Sequence, residues 1–122
     1  MSEFVEKLPD QCPPADASDC EWKNVYRLLE KENPDKEAFK SHAALGKTPP
    51  ANMDLCRWAS CSLVLDPKKI KKLPNFKNHR WAAKINVPVG AGRSKKSGIN
   101  HVDFWCGKEF DIASFITEIV SL

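Results

Sequence analysis

Arg80-Trp-Ala-Ala-Lys-Ile-Asn-Val-Pro-Val89 and His101-Val-Asp-Phe-Trp-Cys106 decide the reading of the fold, because both alternate with period two. In the first, Trp81, Ala83, Ile85, Val87 and Val89 fall on one face, and Arg80, Ala82, Lys84, Asn86 and Pro88 on the other. In the second, Val102, Phe104 and Cys106 oppose His101, Asp103 and Trp105. Strand side chains point alternately to opposite faces, so each segment reads as a half-buried strand. Pro88 has no N–H to give a ladder and marks an edge or a strand end. Between them, Gly90-Ala-Gly-Arg-Ser-Lys-Lys-Ser-Gly98 reads as a glycine- and serine-rich loop. The expectation is an antiparallel hairpin whose outer face carries Arg80, Lys84, Asn86, His101, Asp103 and Trp105, with Asp103 placed to pair with Lys84.

Working outward, the C-terminal residues Ile112, Phe115, Ile116, Ile119 and Val120 form a stripe at helical spacing after Asp111 as cap. Phe110 is placed to staple onto Phe115. Ser18-Asp-Cys-Glu21 has the form of a capping box, and Trp22, Val25, Tyr26 and Leu29 follow at helical spacing. Residues 24–30 also suit a strand; the helix is the slightly preferred alternative. Asn33-Pro34 starts a further helix with Ala38, Phe39, His42, Ala43 and Leu45 on one face and Gly46 at its end. Asp54 caps a short helix through Trp58. Residues 60–65 read as a strand with Cys61, Leu63 and Leu65 on one face. Asp66-Pro67 opens another short helix, Lys68 to Leu73, and Phe76 anchors the connection to Arg80. Residues 9–17, with three prolines, read as an extended loop.

The expected architecture is therefore α+β: a small, mostly antiparallel sheet of three or four strands packed against a C-terminal amphipathic helix and two or three further helices. Its 122 residues suit one domain spanning 1–122. The first residues lack the apolar run of a signal peptide, and no segment has the roughly 20 apolar residues that span a bilayer. Five cysteines stand at 12, 20, 56, 61 and 106, an odd count without a secretory signal, which points to reduced thiols in a cytoplasm. Their spacings do not match the common zinc motifs, so no metal and no cofactor is expected.

Charge is the main functional signal. Residues 67–102 hold ten Lys or Arg and no Asp or Glu: 68, 69, 71, 72, 77, 80, 84, 93, 95 and 96. Residues 1–66 carry eight basic and twelve acidic residues, so the net charge of +3 conceals a strong asymmetry. Such a segment suits a polyanion, nucleic acid first, or an acidic partner protein. Phosphate contact falls to Arg80, Lys84, Arg93, Lys95 and Lys96, with His101 and Trp105 as stacking or hydrogen-bonding residues. The competing view is a solubilising, edge-guarding set of lysines.

Two other functions fit the residues. A small enzyme would use His101 with Asp103 or Lys96 near the basic loop. The order Arg27, then Ser60-Cys61-Ser62, then a late acidic residue is loosely similar to the Arg, Ser, Glu order of mono-ADP-ribosyltransferases, although the catalytic Glu strand of that family is missing. An accessory subunit would use the acidic and basic halves as complementary patches, with tryptophans as anchors.

Overall fold

The computed structural model describes residues 4–70 and 79–122. Its centre is one six-stranded antiparallel sheet: β1 Trp22–Leu29, β2 Cys61–Val64, β3 Trp81–Val87, β4 Gly92–Lys96, β5 His101–Cys106 and β6 Ile116–Ser121. The strand order is β4-β5-β2-β1-β3-β6. Among the described residues the only α-helix is a single turn, α1 Leu55–Trp58, and three 3-10 turns lie at Lys36–Phe39, Pro67–Ile70 and Ile112–Phe115. The expectation of a small sheet packed on several helices is thus overturned. No helix of the described residues is long and apolar enough to cross a membrane.

The two segments that opened the reading are strands, β3 and β5, but they are not partners. β3 pairs with β1 and β6, and β5 with β2 and β4. The segment read as a loop supplies a strand of its own, β4, which forms the actual hairpin with β5. Asp103 accordingly lies opposite Ser62 and Lys95 rather than Lys84.

Two expected helices are strands for one shared reason. β1 carries a bulge: Asn24 has φ 57° and the register with β3 slips between Trp22 and Val25. Asn accepts this left-handed conformation more readily than most residues. The extra residue puts Trp22, Val25 and Leu29 on one side, all at the main core. Their spacing imitates the three-and-four rhythm of a helix. β6 repeats the device. Its register slips where Ile116 faces Ile85 but Glu118 faces Lys84, so Ile116 and Ile119 both reach the same core. Four of the six β6 residues, Ile116, Thr117, Ile119 and Val120, are β-branched, and pairing with β3 satisfies their backbone. Phe110 does meet Phe115, with ring centroids 4.6 Å apart, but at a 3-10 turn rather than at a helix start. Ser18 caps nothing; its backbone N–H and C=O exchange bonds with Ser94 of β4 at 2.9 and 2.8 Å. The expected helix after Asn33-Pro34 is a 3-10 turn followed by turns.

The sheet is strongly curled. Three strands separate β3 from β4, which in a flat sheet would place them about 19 Å apart. Only residues 88–91 join Val87 to Gly92, and that length of chain reaches about 17 Å when fully extended. The interior of the curl holds Val25, Leu29, Leu63, Ala83, Ile85, Val87, Val102 and Phe104, closed by Ile112 and flanked by Phe39 and Phe110. Gly92 is needed at the start of β4, because a Cβ there would stand 2.2 Å from the Trp105 carbonyl oxygen.

Cys12 and Cys56 form a disulfide, which corrects the expectation of five reduced thiols. Cys20, Cys61 and Cys106 are free. Burial raises the thiol pKa of Cys61, and pushes that of Cys106 up to about 12, so both are protonated at neutral pH.

Candidate functional site

β5 is covered on both faces. Val102 and Phe104 point into the curl, while Asp103 and Trp105 point to the opposite side and are also buried. What covers that second side is α1. Asp54 caps the turn, accepting from the N–H groups of Cys56 and Arg57. The turn then lays the Cys56 carbonyl over Trp105, whose indole N–H donates to it at 3.0 Å. Trp105 is only 1% exposed. The expectation of an outward stacking residue is corrected: in this arrangement its edge and face are both occupied.

Asp103, 2% exposed, is the focus of a polar cluster. Arg57 Nε donates to Oδ2 at 3.2 Å. The Ser60 hydroxyl lies 3.3 Å from Oδ1 but 2.7 Å from the Arg57 carbonyl, which takes most of its single proton. His101 Nδ1 stands 3.4 Å from Oδ1 and 2.6 Å from Ser97 Oγ. The Arg57 side chain is 48% exposed, and its terminal nitrogens make no hydrogen bond among the described residues. Burial, reinforced by Arg57 and Arg27 and opposed by Asp103, lowers the His101 pKa and leaves the ring neutral at pH 7.

This geometry argues against a proton relay. Ser97 and Asp103 both approach the same ring nitrogen, whereas a relay needs the orienting acid on one nitrogen and the proton donor on the other. Arg27, Ser60 and Ser62 are not assembled either. Arg27 lies on the interior face, where its guanidinium donates to the carbonyls of Ala38, Ser62 and Lys40 at 2.8, 2.9 and 3.2 Å. The side chains of Ser60 and Ser62 share the other face, with Asp103.

The basic residues fall into two groups. Lys84 belongs to β3 and Arg80 immediately precedes it, near one margin of the sheet. Arg93, Lys95 and Lys96 belong to β4, at the other margin. A further pair joins the second group. Asn100, in the β4–β5 turn, accepts the Asp66 N–H at 2.6 Å and returns its amide to the Asp66 carbonyl at 2.8 Å. Its own carbonyl accepts from Leu65 N–H. This clasp sets the 3-10 turn bearing Lys68 and Lys69 beside the tip of the hairpin. Lys68, Lys69 and Lys96 form no ion pair among the described residues. Lys71, Lys72, Lys77, the rest of the expected helix to Leu73 and the Phe76 anchor lie outside the described residues.

The remaining two cations are engaged. Lys95 Nζ sits 2.8 Å from Asp16 Oδ2, and that hydrogen bond holds the Asp16 carboxyl below its usual range. Arg93 donates to the Ala17 carbonyl at 3.3 Å. Among the described residues no cluster of three or more His, Cys, Asp or Glu could hold a metal ion. Sequence reasoning missed Arg57 as a site residue; the one available signal was its place three residues after the Asp54 cap, in a turn too short to bury it. Compared with known proteins, the chain matches no family model, no curated protein and no solved structure.

Proposed function

We propose that this protein binds nucleic acid through the β4–β5 hairpin and the turn clasped to its tip. The observation that carries the reading is the Asp66–Asn100 clasp, which sets the turn of Lys68 and Lys69 beside the hairpin that holds Lys96; among the described residues none of the three has a carboxylate partner. Ammonium groups gathered at one hairpin tip suit a row of phosphates, whose condensed counterions they release on binding. Ile99, 88% exposed at the tip, offers an apolar contact of the kind that packs against a base. The exposed guanidinium edge of Arg57 adds a planar donor at the foot of the hairpin. Arg80 and Lys84 stand outside this footprint.

The reading places the protein in the cytoplasm. Its three free cysteines suit that compartment, where the Cys12–Cys56 pair would stand in balance with its dithiol form.

Fluorescence anisotropy with a labelled single-stranded oligonucleotide tests the proposal. Affinity should fall linearly on a double-logarithmic plot as salt rises. The triple variant Lys68→Glu, Lys69→Glu, Lys96→Glu should weaken binding by about a hundredfold at low salt, the double variant Arg80→Glu, Lys84→Glu by far less. Binding indifferent to salt, or equally weakened by the two sets, would overturn it.

A further inference from the structure

The disulfide joins two strips of chain at the same margin of the sheet, one beside the edge strand β4 and one over β5. The first, residues 12–18, runs along β4: Asp16 holds Lys95, the Ala17 carbonyl holds Arg93, and Ser18 pairs with Ser94. The second is α1, which lies over β5 through the Cys56–Trp105 hydrogen bond and the Arg57–Asp103 pair. Cys12 belongs to one strip and Cys56 to the other. At its far end α1 is tied to the turns after Lys40, where Trp58 stacks on His42 and donates its indole N–H to the Lys47 carbonyl at 3.0 Å, so the end bearing Cys56 is the one free to lift. None of its four residues is buried, and Leu55 is 54% exposed.

Beneath the strips, cross-strand register sets Arg93 opposite Trp105 and Lys95 opposite Asp103. Residues directly opposite in an antiparallel pair share a face. That face therefore places a covered indole ring and the buried Asp103 beside two cations, Arg93 exposed and Lys95 half-exposed, and an indole with cations is the combination by which single-stranded nucleic acid is bound through stacking and charge. Asp16 already occupies one of those cations with a carboxylate, as a phosphate would.

We propose that the Cys12–Cys56 disulfide is a redox clasp that holds an internal competitor, Asp16, and a cover, α1, over a second portion of the nucleic-acid surface formed by Arg93, Lys95 and Trp105. This rests on the binding function proposed above. A dithiol reductant opens the clasp: two electrons and two protons pass to the cysteines, which become thiols, and the reductant is oxidised to its own disulfide. The strips then separate independently, and the population with Trp105 uncovered rises.

The experiment uses the full chain, oxidised and reduced, with two readouts. Hydrogen exchange of the peptide covering residues 101–107 reports the cover, and anisotropy with a labelled oligouridylate reports binding. Reduction should speed exchange and tighten binding by about tenfold, the effect of one added stacked base. Cys12→Ser with Cys56→Ser should reproduce both changes, and adding Trp105→Leu should remove the gain in affinity. Asp16→Asn, which leaves the disulfide intact, should by itself tighten binding of the oxidised protein by about threefold, the weight of one freed cation. Exchange and affinity unchanged by reduction would overturn the clasp. Faster exchange with no oligonucleotide bound in either state would overturn the binding function, and the gating with it.

Discussion

Trp22 and Ser94 meet across the curl: the indole N–H of β1 donates to the hydroxyl of β4 at 2.7 Å, although β2 and β5 stand between those strands in the sheet. The Ser94 hydroxyl also lies 3.4 Å from Cys20 Sγ and 3.5 Å from the Ser18 carbonyl. Ser94→Ala leaves a half-buried indole N–H without its acceptor. The expected cost is about 1–2 kcal/mol. Denaturant unfolding checks it, with an unchanged slope and a lower midpoint.

Gly92 makes a harsher prediction. A methyl group there meets both the Trp105 carbonyl and, at 2.9 Å, the Gly107 nitrogen, and both are backbone atoms that cannot rotate away. Gly92→Ala should destabilise the protein by about 3 kcal/mol or more, near the upper end for single substitutions. Gly90→Ala has open space around it and should cost only the strain of its positive φ of 93°. Comparing the melting temperatures of the two variants separates steric exclusion from backbone conformation.

The Arg57–Asp103 pair joins an exposed cation to a buried anion, so its strength lies between the surface and interior cases. Arg57→Ala should cost about 1–2 kcal/mol, since solvent can reach the side that Arg57 leaves. Asp103→Asn should be milder in the Arg57→Ala background than alone. A double-mutant cycle in urea reads the coupling directly. Coupling near zero would mean that Asp103 is held by Ser60 and its neighbours rather than by the guanidinium.

Acid should weaken the fold through histidine. The pKa values of His42, His79 and His101 are all lowered from 6.5, with burial the first cause in each. The unfolded chain then takes up protons near pH 6.5 that the folded chain refuses. Stability is complete above that pH and declines as pH falls through and below it. Melting temperature should drop between pH 7 and pH 5.5, and His101→Gln should flatten part of that slope.

Much of the sheet could be read from the sequence, and each kind of failure has its own physical origin. Period two revealed β3 and β5 because both run straight through Trp81–Val87 and His101–Cys106. It also found β2, and the Asp54 cap of α1. β1 and β6 were misread because a bulge restores interior contact after three residues instead of two, and Trp22–Val25 and Ile116–Ile119 then look helical. β4 was hidden by composition: Gly-Arg-Ser-Lys-Lys has the residues of a loop, yet its lysines suit a marginal strand that must not pair with strangers. The Asp103 cluster was half legible. His101 and Asp103 share a face by spacing alone, but Arg57 and Ser60 arrive from a segment whose position no local pattern encodes.

Strand order also governs when the molecule can form during synthesis. β1 emerges first, but the strands flanking it begin at Cys61 and Trp81, and β3 waits in turn for a partner that starts at Ile116. Almost the whole chain must leave the ribosome before the sheet can close. Until then Val25, Leu28 and Leu29 have no shelter, so the nascent polypeptide should depend on holding chaperones to a degree that its short length does not suggest.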